Sequence, residues 1–198
     1  MSDINFTANY IKPIQIKKLQ GIKYKPYEAS LVELTKEDIP SIKQVSRDWK
    51  SIISTLIECD TSLYMGDKNY HFYALTKQKE NFSSLKSNEV LGLMEIETGK
   101  DLNKIVALET NPKYISYKYG SFKDRVKTFV KKLKEFKPFR EYKHIGKGLL
   151  NIAKEQSQTK EIELYARRQA INFYKKEGFK HTIFSTRANT FHFKHSQK

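Results

Sequence analysis

The sequence predicts an α/β chain in which helices cover a mixed sheet within one domain. Three observations lead there. Short apolar runs rich in branched residues alternate with stretches of helical periodicity, in the order β-α-α-β-β-β-α-α-β-α-β-β. Residues 121–137 carry one apolar stripe on an otherwise basic helix. Downstream, a glycine-bearing loop opens one helix and a Gly-Phe pair closes the next.

Ala29–Leu34 reads as the first strand, and residues 1–28, which lack periodicity, as an N-terminal arm. Thr35 and Asp38 have capping-box spacing, so a helix starts near Lys36 with Pro40 in its opening turn. Trp49, Ile52, Ile53, Leu56 and Ile57 continue with helical spacing, and a second helix reaches about Glu58. Cys59 is expected to face the core of that helix. Tyr70–Thr76, Glu89–Glu97 and Lys104–Thr110 read as strands, with turn chemistry at Thr98–Asp101 and a stop at Pro112. Ser121 and Asp124 cap the basic helix. Its stripe is Phe122, Val126, Phe129, Val130, Leu133 and Phe136, and Pro138 ends it. A helix follows from about Gly146 to Gln156, then a strand at Glu161–Tyr165. The last helix runs from Arg168 to Lys176 and closes at Gly178, and two strands finish the chain at Phe179–Ser185 and Thr190–Lys194.

A chain of 198 residues, 38% hydrophobic and 13% aromatic, supports one buried core and excludes a disordered protein. Its single cysteine excludes an internal disulfide and fits a reducing compartment. No signal-type or membrane-spanning apolar run is present. A cytoplasmic location is therefore expected, one that an exported effector without a cleavable signal would share. The net charge of +15 is concentrated: residues 113–147 hold ten lysines and two arginines against three acids, a net of +9. Such a field attracts anions, namely cofactor phosphates, nucleic acid, an acidic protein or a membrane surface; a plain solubility surface reads the same way.

The chemistry concentrates in two fragments. In Tyr142–Leu150 the run Ile145-Gly146-Lys147-Gly148 stands where a helix begins, with Arg140, Lys143 and Lys147 beside it. Helix starts expose unpaired N–H groups and a partial positive charge, which suits phosphate. Glycines there also serve packing alone. In Arg167–Phe179 the helix places Tyr174 one turn before Gly178. Its phenol is either a proton donor or a buried aromatic beside Phe173 and Phe179. No histidine has a metal-ligand spacing with a second ligand, so no metal is expected.

These fragments resemble the GNAT (general control nonderepressible-related) N-acetyltransferase family. His144-Ile145-Gly146-Lys147-Gly148-Leu149-Leu150 is similar to its "G-I-G-K-A-L-L". Ala170–Phe179 is similar to its "A-x-x-F-Y-x-K-x-G-F", and Leu108–Pro112 to the "L-x-V-x-P" that ends its fourth strand. The resemblance covers residues 29–195. It implies a mixed, mostly antiparallel sheet flanked by helices in one domain, 29–198, with an insertion at about 113–138 carrying the basic helix. It also implies direct acetyl transfer from acetyl-CoA to a primary amine.

On the same resemblance, pantetheine lies along Leu108 and Thr110. Pyrophosphate sits on the amides of Lys143–Gly148, that is Lys143, His144, Ile145, Gly146, Lys147 and Gly148, helped by Arg140; Arg167 also serves the cofactor. Tyr174 protonates the departing thiolate. Glu109 is the preferred general base, with Glu95 and Glu97 as other carboxylates on neighbouring strands. The departures are His144 in place of a glycine, Glu141 where Arg or Gln is usual, Arg167 in place of a frequent asparagine, and the long insertion. The acceptor is open between a small molecule, a protein and aminoacyl-tRNA. An anionic macromolecule on helix 121–137 and a dimer are both compatible with the sequence. A GNAT-like module that binds without catalysing is the alternative.

Overall fold

The structure is a computed structural model that describes residues 9–20, 23–80, 82, 85–114, 141–157, 160–182 and 190–194. Its first two elements correct the sequence reading. Residues 9–28 are no arm: β1 (Asn9–Gln20) and β2 (Lys23–Glu33) form a long antiparallel hairpin, of which Ala29–Leu34 is only the end. Ile16 on β1 is buried in the core. Lysines and two prolines hide the alternation. Pro13 lies outside the short pairing of β1 with β6 (Tyr142–Lys143), and Pro26 lies outside the pairing of β2 with β3 (Tyr70–Thr76). Each proline therefore stands where one side of its strand has no ladder, as proline requires.

Between β2 and β3 a 3-10 turn leads into α1 (Ile39–Trp49), followed by α2 (Ile52–Tyr64). The Thr35 amide donates to Asp38 Oδ2 at 3.0 Å, the expected capping interaction. Ser51, the N-cap of α2, accepts from the Ile53 amide at 3.2 Å. Helix α2 runs one turn and a half past the expected end, and Cys59 is exposed on it rather than buried. The face of α2 that meets the sheet is set by Ser54, Ile57 and Thr61, which turns Cys59 outward.

Strands β4 (Val90–Thr98) and β5 (Leu102–Thr110) follow, then α3 (Ile145–Gln156), β7 (Glu161–Tyr165), α4 (Ile171–Lys176), β8 (Lys180–Thr182) and β9 (Thr190–Phe193). The described strands make one nine-stranded sheet in the order β6-β1-β2-β3-β4-β5-β7-β9-β8. Every pairing is antiparallel except β5 with β7. One face packs Leu31, Tyr73, Leu75, Met94 and Ile105 against α3, Tyr174 and Phe179. The other packs Val32, Phe72, Ala74, Leu93 and Ala107 against Ile42, Val45 and Trp49 of α1 and Ile57 of α2. Central strand β4 is covered on both faces, which is why it reads as an almost unbroken apolar run.

Helix α3 lies close on the sheet because two glycines permit it. A methyl group at Gly148 would stand 2.8 Å from Ile14 Cγ2, and one at Gly92 would stand 2.8 Å from Ile145 Cγ2. The basic helix expected at 121–137 and Arg140 lie outside the described residues. No described helix is long and apolar enough to cross a membrane.

Candidate active site

The parallel pair β5 and β7 runs together only from Leu102 opposite Glu161 to Ile105 opposite Leu164. Beyond that point β7 ends at Tyr165 while β5 continues to Thr110. Residues 107–110 therefore have β4 on one side and no β7 partner on the other, and Val106 is the bulge before them. The unpaired edge of a strand offers N–H and C=O groups to an extended ligand.

Successive residues of β5 point to opposite sides of this opening. On the α3 side, a methyl group at Gly146 would meet Phe173 Cζ at 3.5 Å, Thr110 Cγ2 at 3.6 Å and Leu108 Cδ2 at 3.7 Å. The structure thus brings together Leu108, Thr110 and Gly146 with Phe173, a residue not singled out from the sequence as a lining group. Unlike Gly148, Gly146 is not demanded by packing; a methyl group there would make ordinary contacts with these three side chains.

His144 occupies the residue before α3 with φ 70° and ψ 13°, the left-handed region that glycine favours. The loop keeps the backbone that a glycine would give. The His144 carbonyl accepts from the Gly148 amide at 2.9 Å. That corrects one expectation: the Gly148 amide is spent on the first helical turn. The amides of Ile145, Gly146 and Lys147 are the ones left without an intrahelical partner. Burial, then the charges of Lys17, Lys147 and Lys143, hold the His144 imidazole below its usual pKa. It is neutral at pH 7, a donor or acceptor rather than a cation. Lys143 pairs across to Lys17 on β1, and its Nζ stands 3.8 Å from the Tyr24 ring centre. Lys147 Nζ lies 3.6 Å from Glu177 Oε1. The hairpin that the sequence hid is therefore the wall that holds this loop.

Tyr174 is buried at 6% exposure among Phe173, Phe179 and Phe191, with ring centres 5.0, 5.8 and 6.0 Å away. Burial pushes its phenol up to about 12. It stays protonated across the physiological range, as a donor must.

Glu109 points to the other side of the sheet, toward the start of α2. Its carboxyl is raised above the usual range by burial, against hydrogen bonds from the Ser51 side chain and the Ser54 amide and the charge of Arg167. One of its oxygens, Oε2, is buried without a partner. The charge of Arg167 thus acts on Glu109. Glu95, offered by the sequence as another strand carboxylate, is wholly buried inside the apolar run of β4, and Asp60 on α2, which the sequence did not single out, lies beside it. An acid flanked by Met94 and Ile96 is the signal that could have marked Glu95 as buried.

No protein-family model and no curated protein matches the chain. Among solved structures, the PaiA N-acetyltransferase of Thermoplasma acidophilum, in complex with coenzyme A, superposes with a TM-score of 0.50 at 16% identity, over 85% of this chain and 100% of that one. The chain has the fold of the GNAT N-acetyltransferases. NAA60 of Arabidopsis thaliana, in complex with acetyl-CoA, gives a TM-score of 0.48 at 13% identity, over 82% of this chain and 96% of that one. Within the GNAT fold described here, the hairpin strand β1 and its partner β6 add to the sheet edge nearest the loop before α3.

Proposed function

We propose that this chain is an acetyl-CoA-dependent N-acetyltransferase that transfers acetyl directly to a primary amine. One observation carries the reading: the opening between β5 and β7 has a glycine-bearing helix start and Phe173, the ring neighbour of the buried Tyr174, on one side and a carboxyl on the other. Acetyl-CoA lies on the α3 side, pantetheine along Leu108–Thr110 and pyrophosphate at Ile145–Lys147. The acceptor approaches from the α2 side, where Glu109 takes a proton from its ammonium. The neutral amine attacks the thioester carbonyl and the C–S bond breaks. A phenol at about 12 is a weaker acid than a thiol, whose pKa is about 8.5, so Tyr174 stabilises the departing sulfur by donating a hydrogen bond.

A second reading, a module that holds an anionic macromolecule, is favoured by charge. Residues 9–27 contain five lysines and no acid, in addition to the +9 of residues 113–147. The exposed Cys59 thiol suits a reducing compartment, and the cytoplasm is the proposed location. Calorimetric titration with acetyl-CoA, followed by a CoA-release screen over small amines, peptides and aminoacyl-tRNA, tests the first reading. Charge reversal at Lys127, Lys131 and Lys134 tests the second, and is expected to weaken binding of nucleic acid or an acidic protein more than binding of CoA.

A further inference from the structure

Three carboxyls gather beneath α2, and only Glu109 has been given a task. Glu95 is fully buried at 0% exposure, and as a carboxylate neither of its oxygens meets a hydrogen-bond donor. A buried carboxylate left so is costly, and a bound proton removes that cost. The Asp60 carboxyl on α2 lies against it. Two carboxylates cannot bond to each other unless one of them carries a proton. Register places the pair beside the site: Glu95 is opposite Ala107, and Leu93 is opposite Glu109. Glu95 and Glu109 are therefore diagonal neighbours on one sheet face, at a separation of roughly 7–8 Å. A pair of glutamate side chains, or one intervening water, spans that gap. Asp60 is only partly buried, so the Asp60 end of the pair reaches solvent.

We propose that Glu95 and Asp60 share a single proton and, with Glu109, form a carboxyl relay under α2 that carries the acceptor's proton to solvent. The inference rests on the reading of Glu109 as the base. Acetylation of an ammonium releases one proton per turnover. Of the nitrogen's two departing protons, one goes to Glu109 and the other ends on the sulfur as the N–C bond forms and the C–S bond breaks. The proton on Glu109 must leave before the next acceptor binds. Its way back through the opening is blocked while the products occupy it, whereas the shared proton of the pair can be displaced outward at Asp60. Burial, Asp60 and Glu97 all favour the protonated form of Glu95, while Lys104 opposes them. Across β3 its neighbour is the apolar Phe72. Glu95 is a positioning residue here, acting through Glu109.

The test has two arms. Carboxyl titration by carbon-13 NMR on the ligand-free protein needs no turnover: one carboxyl is expected to keep its proton above pH 7 and to vanish from the spectrum in E95Q, with D60N altering its midpoint. Steady-state assays across pH then follow E95Q and D60N. A tenfold or larger fall in kcat with unchanged acetyl-CoA affinity is expected, with loss of one ionisation from the pH profile. That fall is smaller than the roughly 10²–10⁴-fold owed to a group that meets the substrate. D60N changes a partly exposed side chain and serves as the folded control for the buried substitution. Ordinary titration of both carboxyls near pH 4, or wild-type kcat and pH profile in both variants, would overturn the relay and leave the acetyltransferase reading standing. Absence of acetyl-CoA binding in the wild type would instead remove that reading, and the NMR arm would still decide whether the proton is shared.

Discussion

The buried Glu95 makes a stability prediction that needs no ligand. In the unfolded chain this carboxyl ionises near 4.5, and in the fold it is pushed up to about 8 by burial, with Asp60 and Glu97 adding to the shift. Between those values the native state holds a proton that the unfolded chain has shed, so stability falls as pH rises. At 1.36 kcal/mol per pK unit the full swing is about 5 kcal/mol, of which about 3 kcal/mol is lost by pH 7. Glutamine has nearly the same shape and no charge to lose. It leaves a buried amide unsatisfied, a cost that does not vary with pH. E95Q is therefore expected to gain on the wild type by about 3 kcal/mol between pH 5 and pH 8, whichever protein is the more stable at pH 5. Urea unfolding followed by the fluorescence of Trp49, the one tryptophan and a buried residue, reads both curves. If the two free energies run parallel across that range, Glu95 is ionised in the fold and the reasoning fails.

Other expectations follow from the site. Tyr174→Phe should lower acetyl transfer by about 10²-fold with acetyl-CoA affinity intact; a turnover equal to wild type removes Tyr174 from the chemistry. Gly148→Ala, whose methyl group would meet Ile14 at 2.8 Å, should cost about 1–3 kcal/mol in urea unfolding. Gly146→Ala, with contacts no closer than 3.5 Å, should fold normally yet weaken acetyl-CoA binding, because its methyl group enters the space between Leu108, Thr110 and Phe173. Equal stability losses in the two alanine variants would contradict the assignment of one glycine to packing and the other to the ligand. His144→Gly should stabilise by up to about 1 kcal/mol, since the left-handed φ of 70° costs histidine more than glycine loses in entropy; a destabilised variant would mean that the imidazole itself holds the loop.

Much of this was legible from sequence where a segment's own pattern decides its structure. Strands Tyr70–Thr76 and Glu161–Tyr165 have the expected bounds, and the Thr35–Asp38 cap forms as its spacing implies. The opening between β5 and β7 follows from elements that were all foreseen. What stayed hidden depends on distant partners. Strand β1 has its isoleucines interrupted by Pro13 and by lysines, and is a strand because β2 pairs along nearly all of it. Cys59 faces outward because Ile57 and Thr61 face the sheet. Glu95 looked like one of several strand carboxylates, and only α2 lying over it turns it into a buried acid. His144 appeared as a departure from a glycine motif, whereas the backbone there keeps the conformation a glycine would take.

Calorimetric titration of acetyl-CoA into the wild-type protein, repeated with Gly146→Ala, is the most direct measurement of the central claim. Saturable one-to-one binding that weakens in the variant is the outcome expected of an acyl-CoA site at the start of α3. No heat of binding in the wild type, or equal affinity in both proteins, would contradict it.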